Sequence, residues 1–543
     1  MSRRRYQKEA RGTGPLSFEA GTIVKDWGGK TPVCIVFPNS YYVGMSNLAI
    51  HILYRTLNDM PDVVCERCFT DGSGRPLSLE SGKPLSSFEI IFFSISFELD
   101  YMNIPGMLRR AGVNLFARER KAGEPIIVGG GICVMANPEP LHDIFDLFIM
   151  GDIEATVPLL MERYRELRAK KRARVIEGLS GFDWMYNPLA LDVAYGQDGT
   201  PDHFIARDVR ISVRHYKGKD LGTSAIIAGK TEFSSMFLAE GTRGCPSQCP
   251  FCLIGNMYRF VHEKVSGITT DRTDIGILGG GVSFHPRLMD ELVALKEAGK
   301  RIHLPSLRID KVPLSCIELI KDEVKTLTFG IEAGTEALRR FVGKPMTDQE
   351  IIERIGEIID IKPFNLKLYF MVGLPGETKK DIDSIPELAK RIKHVMVKKG
   401  AKKGAVGSIT VHASPFVPKP STPFQWLPMD DTTALKEKIG SLRKAFGTID
   451  NTFFTHESIK HSFIQGIFAR GDRRIAGTVL ALSSGETIAK VVRESPVNLN
   501  FYALRERKRD EIFPWDFIEG TTSKATLYKR LVQSLTGTVN IIV

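Results

Sequence analysis

Two long regions of the chain alternate short apolar runs with segments of helical period, and this alternation constrains the fold more than any other feature. In the first region the runs are "VCIVFP" (33–38), "EIIFFSIS" (89–96), "PIIVGGG" (125–131) and "LFIMGD" (147–152). Apolar strands separated by helices predict a parallel sheet covered on both faces. We therefore expect a doubly wound α/β domain of the Rossmann or flavodoxin-like kind over residues 31–165, with its ligand beyond the carboxyl ends of the strands.

A second alternation begins near residue 235. Its predicted strands are "SSMFLAEGT" (234–242), "DIGILGGG" (274–281), "RIHLPSLRID" (301–310), "TLTFGIEAG" (326–334), "NLKLYFMVGLPG" (365–376) and "GSITVHASPFVP" (407–418). Six strands alternating with helices predict a partial (β/α)6 barrel, with chemistry at the carboxyl ends of its strands. The predicted division is an arm at 1–30, the first domain at 31–165, a connector at 166–230, the barrel at 231–435 and a mainly helical C-terminal region at 436–543.

Composition is ordinary for a globular chain, with 43% hydrophobic and 25% charged residues among 543. No apolar run approaches the roughly 18 residues that cross a bilayer. The start, "MSRRRYQKEARGTG", is basic but has no apolar segment behind it, so it does not resemble a secretory signal. We expect a cytoplasmic protein without a membrane span.

The formal net charge of +11 is concentrated in basic runs at 163–174, 398–404 and 505–509. Such runs can attract nucleic acid or an anionic surface. They are more often the solvated faces of helices and loops, and few aromatic residues interleave with them, as single-stranded nucleic-acid binding would need. Nucleic acid is therefore a secondary, unfavoured candidate partner.

Three of the eight cysteines, Cys245, Cys249 and Cys252, lie within eight residues in "GTRGCPSQCPFC". Clustered thiolates select zinc, copper(I) or iron–sulfur clusters. Zinc sites usually pair two Cys-x2–4-Cys knuckles, but the next cysteine downstream is Cys316, and His262 has no second histidine close by. The Cys-x3-Cys-x2-Cys spacing suits three irons of a cubane cluster, with the fourth iron open to a small molecule. A zinc site or an electron-transfer cluster stays the alternative.

The three cysteines, with the aromatic Phe251 just before the last, resemble the cluster loop of the radical S-adenosylmethionine enzymes. The resemblance implies a 4Fe-4S cluster whose open iron is chelated by the amino and carboxylate groups of S-adenosylmethionine. It also implies that an electron from the reduced cluster cleaves the sulfonium and yields a 5′-deoxyadenosyl radical. A donor such as a flavodoxin or ferredoxin would supply that electron.

Four downstream motifs, "GGGVSFHP", "SLRID", "GIEAGTEALRR" and "FMVGLPGET", follow in the order that this family shows. Each alone has an ordinary alternative, a turn or a salt bridge at a strand end. Glycine suits the first motif because a Cβ would block the approach of backbone to a ligand. By resemblance, the S-adenosylmethionine contacts are Gly279, Gly280 and Gly281 for the amino group, Ser306, Arg308 and Glu332 for the carboxylate and ribose, and Val372 and Leu374 for adenine.

The front domain resembles the cobalamin-binding domain of the cobalamin-dependent members of this superfamily. "IIVGGGICVMANPEPLHDIFDLFIMGDIEATVPLL" is the strongest stretch. The wider chain, through "VFPNSYYVGMSNLAIHILY", "FVPKPSTPFQW", "ARGDRR" and "FPWDFI", resembles a branch of that group with no settled reaction. By resemblance, the cobalamin contacts are Tyr42, Met45, Gly129, Gly130, Gly151, Asp152 and Glu154.

One departure from the cobalamin pattern concerns the lower cobalt ligand. Many such domains carry Asp-x-His-x-x-Gly after the first strand, whereas the loop here is "NSYYVGMSN", and the first histidine is His51 in the next predicted helix. His51 is expected to be a helix-face residue. Either cobalamin binds without a histidine ligand, or the domain keeps the fold without the cofactor.

Cys65 and Cys68 form a Cys-x2-Cys pair in "VVCERCFTD". Residues three apart on a strand point to opposite faces, which disfavours chelation. We interpret both as structural, with a redox pair as the alternative.

The sequence therefore predicts an iron–sulfur enzyme that cleaves S-adenosylmethionine and abstracts hydrogen from an unidentified substrate, with cobalamin-dependent methyl transfer as the expected outcome. One alternative is a cobalamin-independent radical enzyme that modifies RNA or protein. The other is a non-catalytic, metal-stabilised nucleic-acid-binding protein.

Overall fold

The computed structural model describes residues 15–70, 74–205 and 210–537. The basic start of the predicted arm (1–14) and the end of the predicted C-terminal region (538–543) lie outside the described residues. The chain divides into two compact units. The first contains residues 1–192, 204–238 and 476–486, and the second contains residues 193–203, 239–475 and 487–543.

Six strands form one sheet in the first unit. They are Thr31–Val36 (β1), Val63–Cys68 (β2), Ile90–Ser94 (β3), Ile126–Gly130 (β4), Leu147–Ile149 (β5) and Met185–Tyr186 (β6). Their order is β2-β1-β3-β4-β5-β6; the first five are parallel and β6 is antiparallel. The predicted parallel α/β sheet is confirmed, and the order reverses at β1, as at the ligand crevice of flavodoxin-like sheets.

Helices connect and flank these strands. They are Leu48–Asn58 (α1), Ile104–Ala111 (α2), Ile153–Leu167 (α3), Arg172–Leu179 (α4) and Ala476–Ser483. Every residue of β1, β2 and β3 is buried, as continuous apolar runs require of strands covered on both faces. Val33 and Ile35 of β1 share one apolar cluster with residues of α1 and α3, while Cys34 and Val36 are buried on the opposite face.

The described part of the predicted arm, 15–30, is anchored in the first unit. The Glu19 carboxylate accepts hydrogen bonds from the Arg67 guanidinium at 2.8 and 2.7 Å, and both side chains are fully buried. Glu80 also pairs with Arg67, and Lys25 donates to backbone carbonyls beyond α1. The predicted arm is thus attached to the core through Glu19 and Lys25, although none of residues 20–30 is itself buried. Buried carboxylates are rare unless paired, and the partner lies 48 residues away.

The second alternation contains seven strands. They are Phe237–Glu240 (β7), Asp274–Leu278 (β8), Arg301–His303 (β9), Thr326–Glu332 (β10), Asn365–Val372 (β11), Ile409–Pro415 (β12) and Thr452–His456 (β13). One sheet has the order β7-β8-β9 and another the order β10-β11-β12-β13, the latter parallel throughout. A single parallel bridge between Leu307 and Phe329 joins the segment after β9 to β10.

All six predicted strands of this region are present, but β13 was not predicted. It pairs in parallel with β12 inside the region that was expected to be mainly helical. Its residues, "TFFTH", are only partly buried in an alternating pattern. A half-exposed edge strand lacks the continuous apolar run that marks the inner strands of a parallel sheet, so its period was overlooked.

The helices of the second unit lie between and after these strands. The longer ones are Leu288–Glu297 (α5), Leu314–Ile320 (α6), Glu336–Phe341 (α7), Asp348–Ile361 (α8), Lys379–Gly400 (α9), Thr432–Phe446 (α10), Ile459–Arg470 (α11), Ile488–Glu494 (α12) and Lys524–Leu535 (α13). Within the described ranges, no helix has both the length and the apolar character that a bilayer span requires.

Candidate active site

The loop that carries the three cysteines is shaped by a short antiparallel pairing. Thr242–Arg243 pairs with Val261–His262, so that the chain returns beside its own start. Gly244 has φ +73°, and a Cβ there would lie 2.6 Å from the carbonyl oxygen of Arg259. Only glycine fits this close, left-handed turn, which sets the direction in which the chain enters the cysteine loop.

The three thiols interact electrostatically within this loop. Cys249 is buried, whereas Cys245 and Cys252 are half-buried, and all three are free. Burial raises the pKa of Cys249 to about 12, and the nearby Lys344 opposes that shift. Burial also raises the pKa of Cys252, against the backbone N–H groups of Gly255 and Ile254. Without a cation the loop therefore holds thiols, and a bound metal centre would be needed to hold them as thiolates.

The residues present fit a cluster, because three soft ligands of one short loop interact with each other and one is shielded from water. As arranged in the described ranges, no group of three or more His, Cys, Asp or Glu side chains could hold a single metal ion. The fit thus rests on the chemistry and burial of the three thiols.

The predicted glycine turn packs directly on the cysteine loop. Gly279 has φ +145°, and a Cβ there would lie 2.2 Å from the hydroxyl of Thr242. A Cβ on Gly280 would meet Ile254 at 2.8 Å, and one on Gly281 would lie 3.2 Å from the carbonyl oxygen of Gly244. The structure therefore brings this turn against the loop, as the resemblance implies.

Arg308 is also brought to the loop. Its guanidinium pairs with Asp310 at 2.9 and 2.7 Å and donates to the Ser247 hydroxyl, between the first two cysteines, at 3.1 Å. Its backbone N–H donates to Ser283 of the segment after the glycine turn at 2.9 Å. Ser306 is exposed two residues earlier, where it lines a small hollow with Thr326 and Thr328.

Glu332 ends β10 in an unusual backbone conformation. It has φ +73°, and its carboxylate pairs with Lys344 Nζ at 2.6 Å, while that amine also donates to the Gly330 carbonyl at 2.9 Å. Glu332 interacts electrostatically with Cys252. A non-glycine residue in the left-handed region costs about 1–3 kcal/mol, and such strain clusters at functional sites.

Val372 and Leu374, the predicted adenine contacts, are buried at the end of β11. Leu374 belongs to an apolar cluster with Phe251 of the cysteine loop packed against it. The same cluster contains Phe424 and Trp515, from the "FVPKPSTPFQW" and "FPWDFI" stretches. Both stretches thus contribute to the apolar cluster that packs against the cysteine loop.

In the first unit, the loop after β1 is occupied by internal contacts. The Tyr42 hydroxyl bonds to the Glu232 carboxylate. Met45 is buried, with its sulfur 3.2 Å from the Arg67 guanidinium. His51 is buried in α1, as predicted; its Nε2 lies 3.1 Å from the Met45 carbonyl and its Nδ1 accepts from Ile226. Burial lowers the pKa of His51 to about 4, so the ring is neutral.

The edge beyond β4 and β5 is filled in the same way. A Cβ on Gly129 would lie 2.6 Å from the Phe148 ring, and one on Gly151 would lie 2.4 Å from the Arg214 carbonyl. The buried Asp152 carboxylate accepts from the Tyr216 N–H at 2.7 Å. Glu154 lies in the first turn of α3.

Of the three glycines predicted to contact cobalamin, only Gly130 opens onto free space. Gly129, Gly151 and Asp152 are thus in contact with other segments of the chain, whereas Gly130 faces free space.

Cys65 and Cys68 are fully buried on β2. Burial raises the pKa of Cys65 well above its usual range, which disfavours a reactive thiolate. The structural interpretation of the pair is therefore favoured over a redox pair.

Three residues at the cysteine loop were missed in the sequence: Ser247, Asn256 and Lys344. Asn256 donates its side-chain amide to the carbonyls of Cys249 and Cys252 at 3.0 and 2.7 Å. Serine between the cysteines and lysine after the "GIEAGTEALRR" motif are common residues in common positions, so only their contacts distinguish them.

Comparison with known proteins points to one family. Residues 49–188, from α1 to the end of the first sheet, match the family model described as radical SAM proteins, N-terminal. This match supports a radical S-adenosylmethionine protein. Its relatives include an uncharacterized protein of Methanocaldococcus jannaschii, 26% identical over 457 residues, which cover 82% of this chain and 89% of that protein. They also include the ribosomal protein uS12 methylthiotransferase of Caldanaerobacter subterraneus subsp. tengcongensis, 22% identical over 54% of this chain and 70% of that enzyme.

Among solved structures, the cobalamin-dependent S-adenosylmethionine radical enzyme OxsB, with aqua-cobalamin and S-adenosylmethionine bound, is 13% identical with a TM-score of 0.40. The alignment covers 93% of this chain and 61% of OxsB, so the chain spans less than two thirds of that enzyme.

Proposed function

We propose that this radical S-adenosylmethionine protein is an enzyme that holds a 4Fe-4S cluster through Cys245, Cys249 and Cys252 and cleaves S-adenosylmethionine reductively. The observation that carries the proposal is convergence on one loop. A glycine turn, an arginine and a carboxylate–lysine pair, all from separate strands, lie against the three cysteines. Such a convergence of charged and hydrogen-bonding groups is the arrangement that a small charged cosubstrate needs.

The proposed roles follow from what each group can offer. Arg308 would bind the carboxylate of S-adenosylmethionine, since its guanidinium is already held in place by Asp310 and Ser247. Glu332 would accept from the ribose hydroxyls, and the apolar ends of β11, Val372 and Leu374, would line adenine. The turn at 279–281 would present backbone to the methionine amino group.

When bound, the cluster and S-adenosylmethionine supply a 5′-deoxyadenosyl radical that abstracts hydrogen from a substrate. The chain positions the ligands, shields Cys249 from water and opposes the charge of its thiolate with Lys344. An external electron donor, such as a flavodoxin or ferredoxin, would be needed, since none of these side chains is a reductant.

We further propose that the strand arrays β7–β9 and β10–β13 act together as the partial barrel of the enzyme. The bridge between Leu307 and Phe329 supports this, because it makes the two arrays neighbours. The five-part division of the chain, including the connector at 166–230, belongs to the same proposal.

Part of the charge in the basic runs is already engaged, which weakens the alternative of a nucleic-acid-binding protein. Arg165 pairs with Asp62 and Arg168 with Glu89, while Arg507 is buried. In the run 398–404, Lys398 and Lys402 are exposed.

A cobalamin-independent reaction is supported by the engagement of both His51 nitrogens, which leaves that ring no free nitrogen for cobalt. Modification of RNA or protein without cobalamin is in keeping with the relative that is named as a ribosomal protein methylthiotransferase. Cobalamin-dependent methylation is the second candidate, supported by the flavodoxin-like strand order, which suits a cofactor domain.

The test is anaerobic reconstitution with iron, sulfide and S-adenosylmethionine under reduction. We expect roughly four irons per chain with broad visible absorbance, and release of 5′-deoxyadenosine. Cys245→Ala, Cys249→Ala and Cys252→Ala should each abolish that release, whereas the matched control Cys316→Ala, a buried cysteine of the same unit, should keep it. Full activity in the three variants would exclude the proposed cluster ligands.

A further inference from the structure

The C-terminal helix reaches the cysteine loop, although about 270 residues of sequence separate them. Arg530 of α13 donates from Nη1 to the Asn256 side-chain oxygen at 2.7 Å and from Nη2 to the Gln248 carbonyl. Gln248 has φ +46°, so the carbonyl that Arg530 holds belongs to a conformation that non-glycine residues rarely adopt. The guanidinium therefore holds the loop at Gln248, the residue with this unfavourable backbone conformation.

Asn256 transmits this contact to the ligands themselves. Its side-chain amide donates to the carbonyls of Cys249 and Cys252 while its oxygen accepts from Arg530. Asn256 is buried, so these bonds do not compete with water. One fork of hydrogen bonds thus connects α13 with two of the three cysteines.

Two threonines before α13 add to the attachment. The Thr521 hydroxyl donates to the Met257 carbonyl at 2.5 Å, and the Thr522 hydroxyl donates to the Asn256 carbonyl at 3.2 Å. Both acceptors lie in the helical turn Leu253–Met257, directly after the last cysteine. The carbonyl groups at the end of that turn have no partner within the helix, and the C-terminal segment supplies their hydrogen bonds.

Helix α13 also makes an apolar contact, with the end of α7. Leu527 and Leu531 of α13 lie in one buried cluster with Leu338 and Val342 at the end of α7. The next residue, Gly343, has φ +76°, and a Cβ there would lie 3.5 Å from Cys249 Cα. Helix α13 therefore supports Cys249 both through the loop carbonyls and through the turn behind it.

Arg530 also carries a charge that no carboxylate neutralises. Its hydrogen-bond acceptors in the described ranges are an amide and a carbonyl oxygen, and it forms no ion pair there. It interacts electrostatically with Cys249. Beside three thiolates, an unneutralised cation lowers the cost of adding an electron.

We propose that Arg530 is a positioning residue that fixes the conformation of the cysteine loop and would supply positive charge to a bound cluster. Only the role of the Arg530 charge rests on the proposed cluster. The lock itself is a property of the metal-free protein.

The test separates position from charge with Arg530→Lys, which keeps the charge but loses the fork, and Arg530→Met, which loses both. In the metal-free protein, the rate of Cys249 alkylation by iodoacetamide is followed by mass spectrometry. We expect both variants to raise that rate roughly tenfold or more, the change that a lost hydrogen bond to a charged group gives an opening equilibrium. The exposed neighbour variant Lys529→Met should match the wild type.

After reconstitution, the reduction potential is measured by titration. Arg530→Met should lower the potential, making the cluster harder to reduce, while Arg530→Lys should stay near the wild type.

Unchanged Cys249 alkylation in both variants would overturn the lock, and equal potentials in all three proteins would overturn the charge role. Alkylation of Cys316, which is buried in the same unit, reports unfolding of that unit. If the Cys316 rate rises in Arg530→Met, the lock is judged from Arg530→Lys alone. In that variant the ratio of the Cys249 rate to the Cys316 rate should exceed the wild-type ratio, and an unchanged ratio would overturn the lock. Failure of the wild type to bind iron would defeat the proposed function and leave the alkylation result standing.

Discussion

At the residue scale, the first unit contains several buried acidic and basic side chains. Asp100, after β3, is 3% exposed and accepts from the Asn39 amide at 2.7 Å. Burial raises the pKa of Asp100 to about 7; the bond from Asn39 lowers it and the charge of Glu98 raises it. The carboxyl group is therefore poised to lose its proton near neutrality.

This shift predicts a pH dependence of stability. Because the folded pKa lies above the unfolded value of about 3.9, the folded state binds more protons in between. The stabilisation is present below pH 4 and is lost as the pH rises toward 7, by on the order of a few kcal/mol. Thermal unfolding of the first unit at pH 5.5 and 8 should show a larger fall for the wild type than for Asp100→Asn. An equal fall in the two proteins would show that Asp100 does not titrate in this range.

At the element scale, the cysteine loop and the glycine turn form one packed structure. The left-handed turn at Gly244 sets the direction of the loop. The glycine turn fits against the loop because Gly279, without a Cβ, leaves room for Thr242. The ladder at the base of the loop, Thr242–Arg243 with Val261–His262, is only two residues long. Their geometry is therefore decided jointly, by contact.

Gly279→Ala tests this joint packing. Its Cβ would meet Thr242 at 2.2 Å in a backbone conformation that alanine rarely adopts, at a cost of about 1–3 kcal/mol. We expect lower iron retention and a weaker response to S-adenosylmethionine in the cluster's spectrum, with little loss of helix by circular dichroism. Gly267→Ala, where a Cβ meets nothing within 4 Å, is the control. Equal retention by the two variants would mean that the turn does not shape the loop.

At the scale of the whole molecule, two compact units carry different capacities. The second unit holds the three thiols with the groups proposed for S-adenosylmethionine, while at the predicted cofactor edge of the first unit Gly129, Gly151 and Asp152 contact other segments of the chain. Each unit should therefore respond separately to added cofactors, since a ligand stabilises only the fold that binds it.

Incubation with hydroxocobalamin is expected to leave no corrin spectrum on the protein after gel filtration and no change in the melting of the first unit. Reconstitution with iron and sulfide should raise only the transition of the second unit. Stoichiometric corrin retention would favour cobalamin-dependent methylation.

How far the sequence predicted the fold depended on which residues were buried. The fully apolar runs of β1, β3 and β4 were predictable because inner strands of parallel sheets must be apolar on both faces. Strands β10–β12 alternate buried with less buried residues and were predictable from that period of two. Strand β13 and the anchored segment at Glu19 were not. The first is half-exposed, and the second depends on an ion pair with a residue 48 positions away.

The sequence by itself determined the chemistry of the candidate site: three cysteines at a spacing that suits a cluster, and the motif order of the radical S-adenosylmethionine proteins. Local spacing carries that information because the ligands belong to one loop. Only the tertiary structure decided what surrounds the loop, including Ser247 on Arg308, Lys344 on Glu332 and the fork of Arg530. It also decided which segments contact Gly129, Gly151 and Asp152 at the first sheet. These features arise where distant segments meet, and contacts between distant segments leave no periodic or local signal in a single sequence.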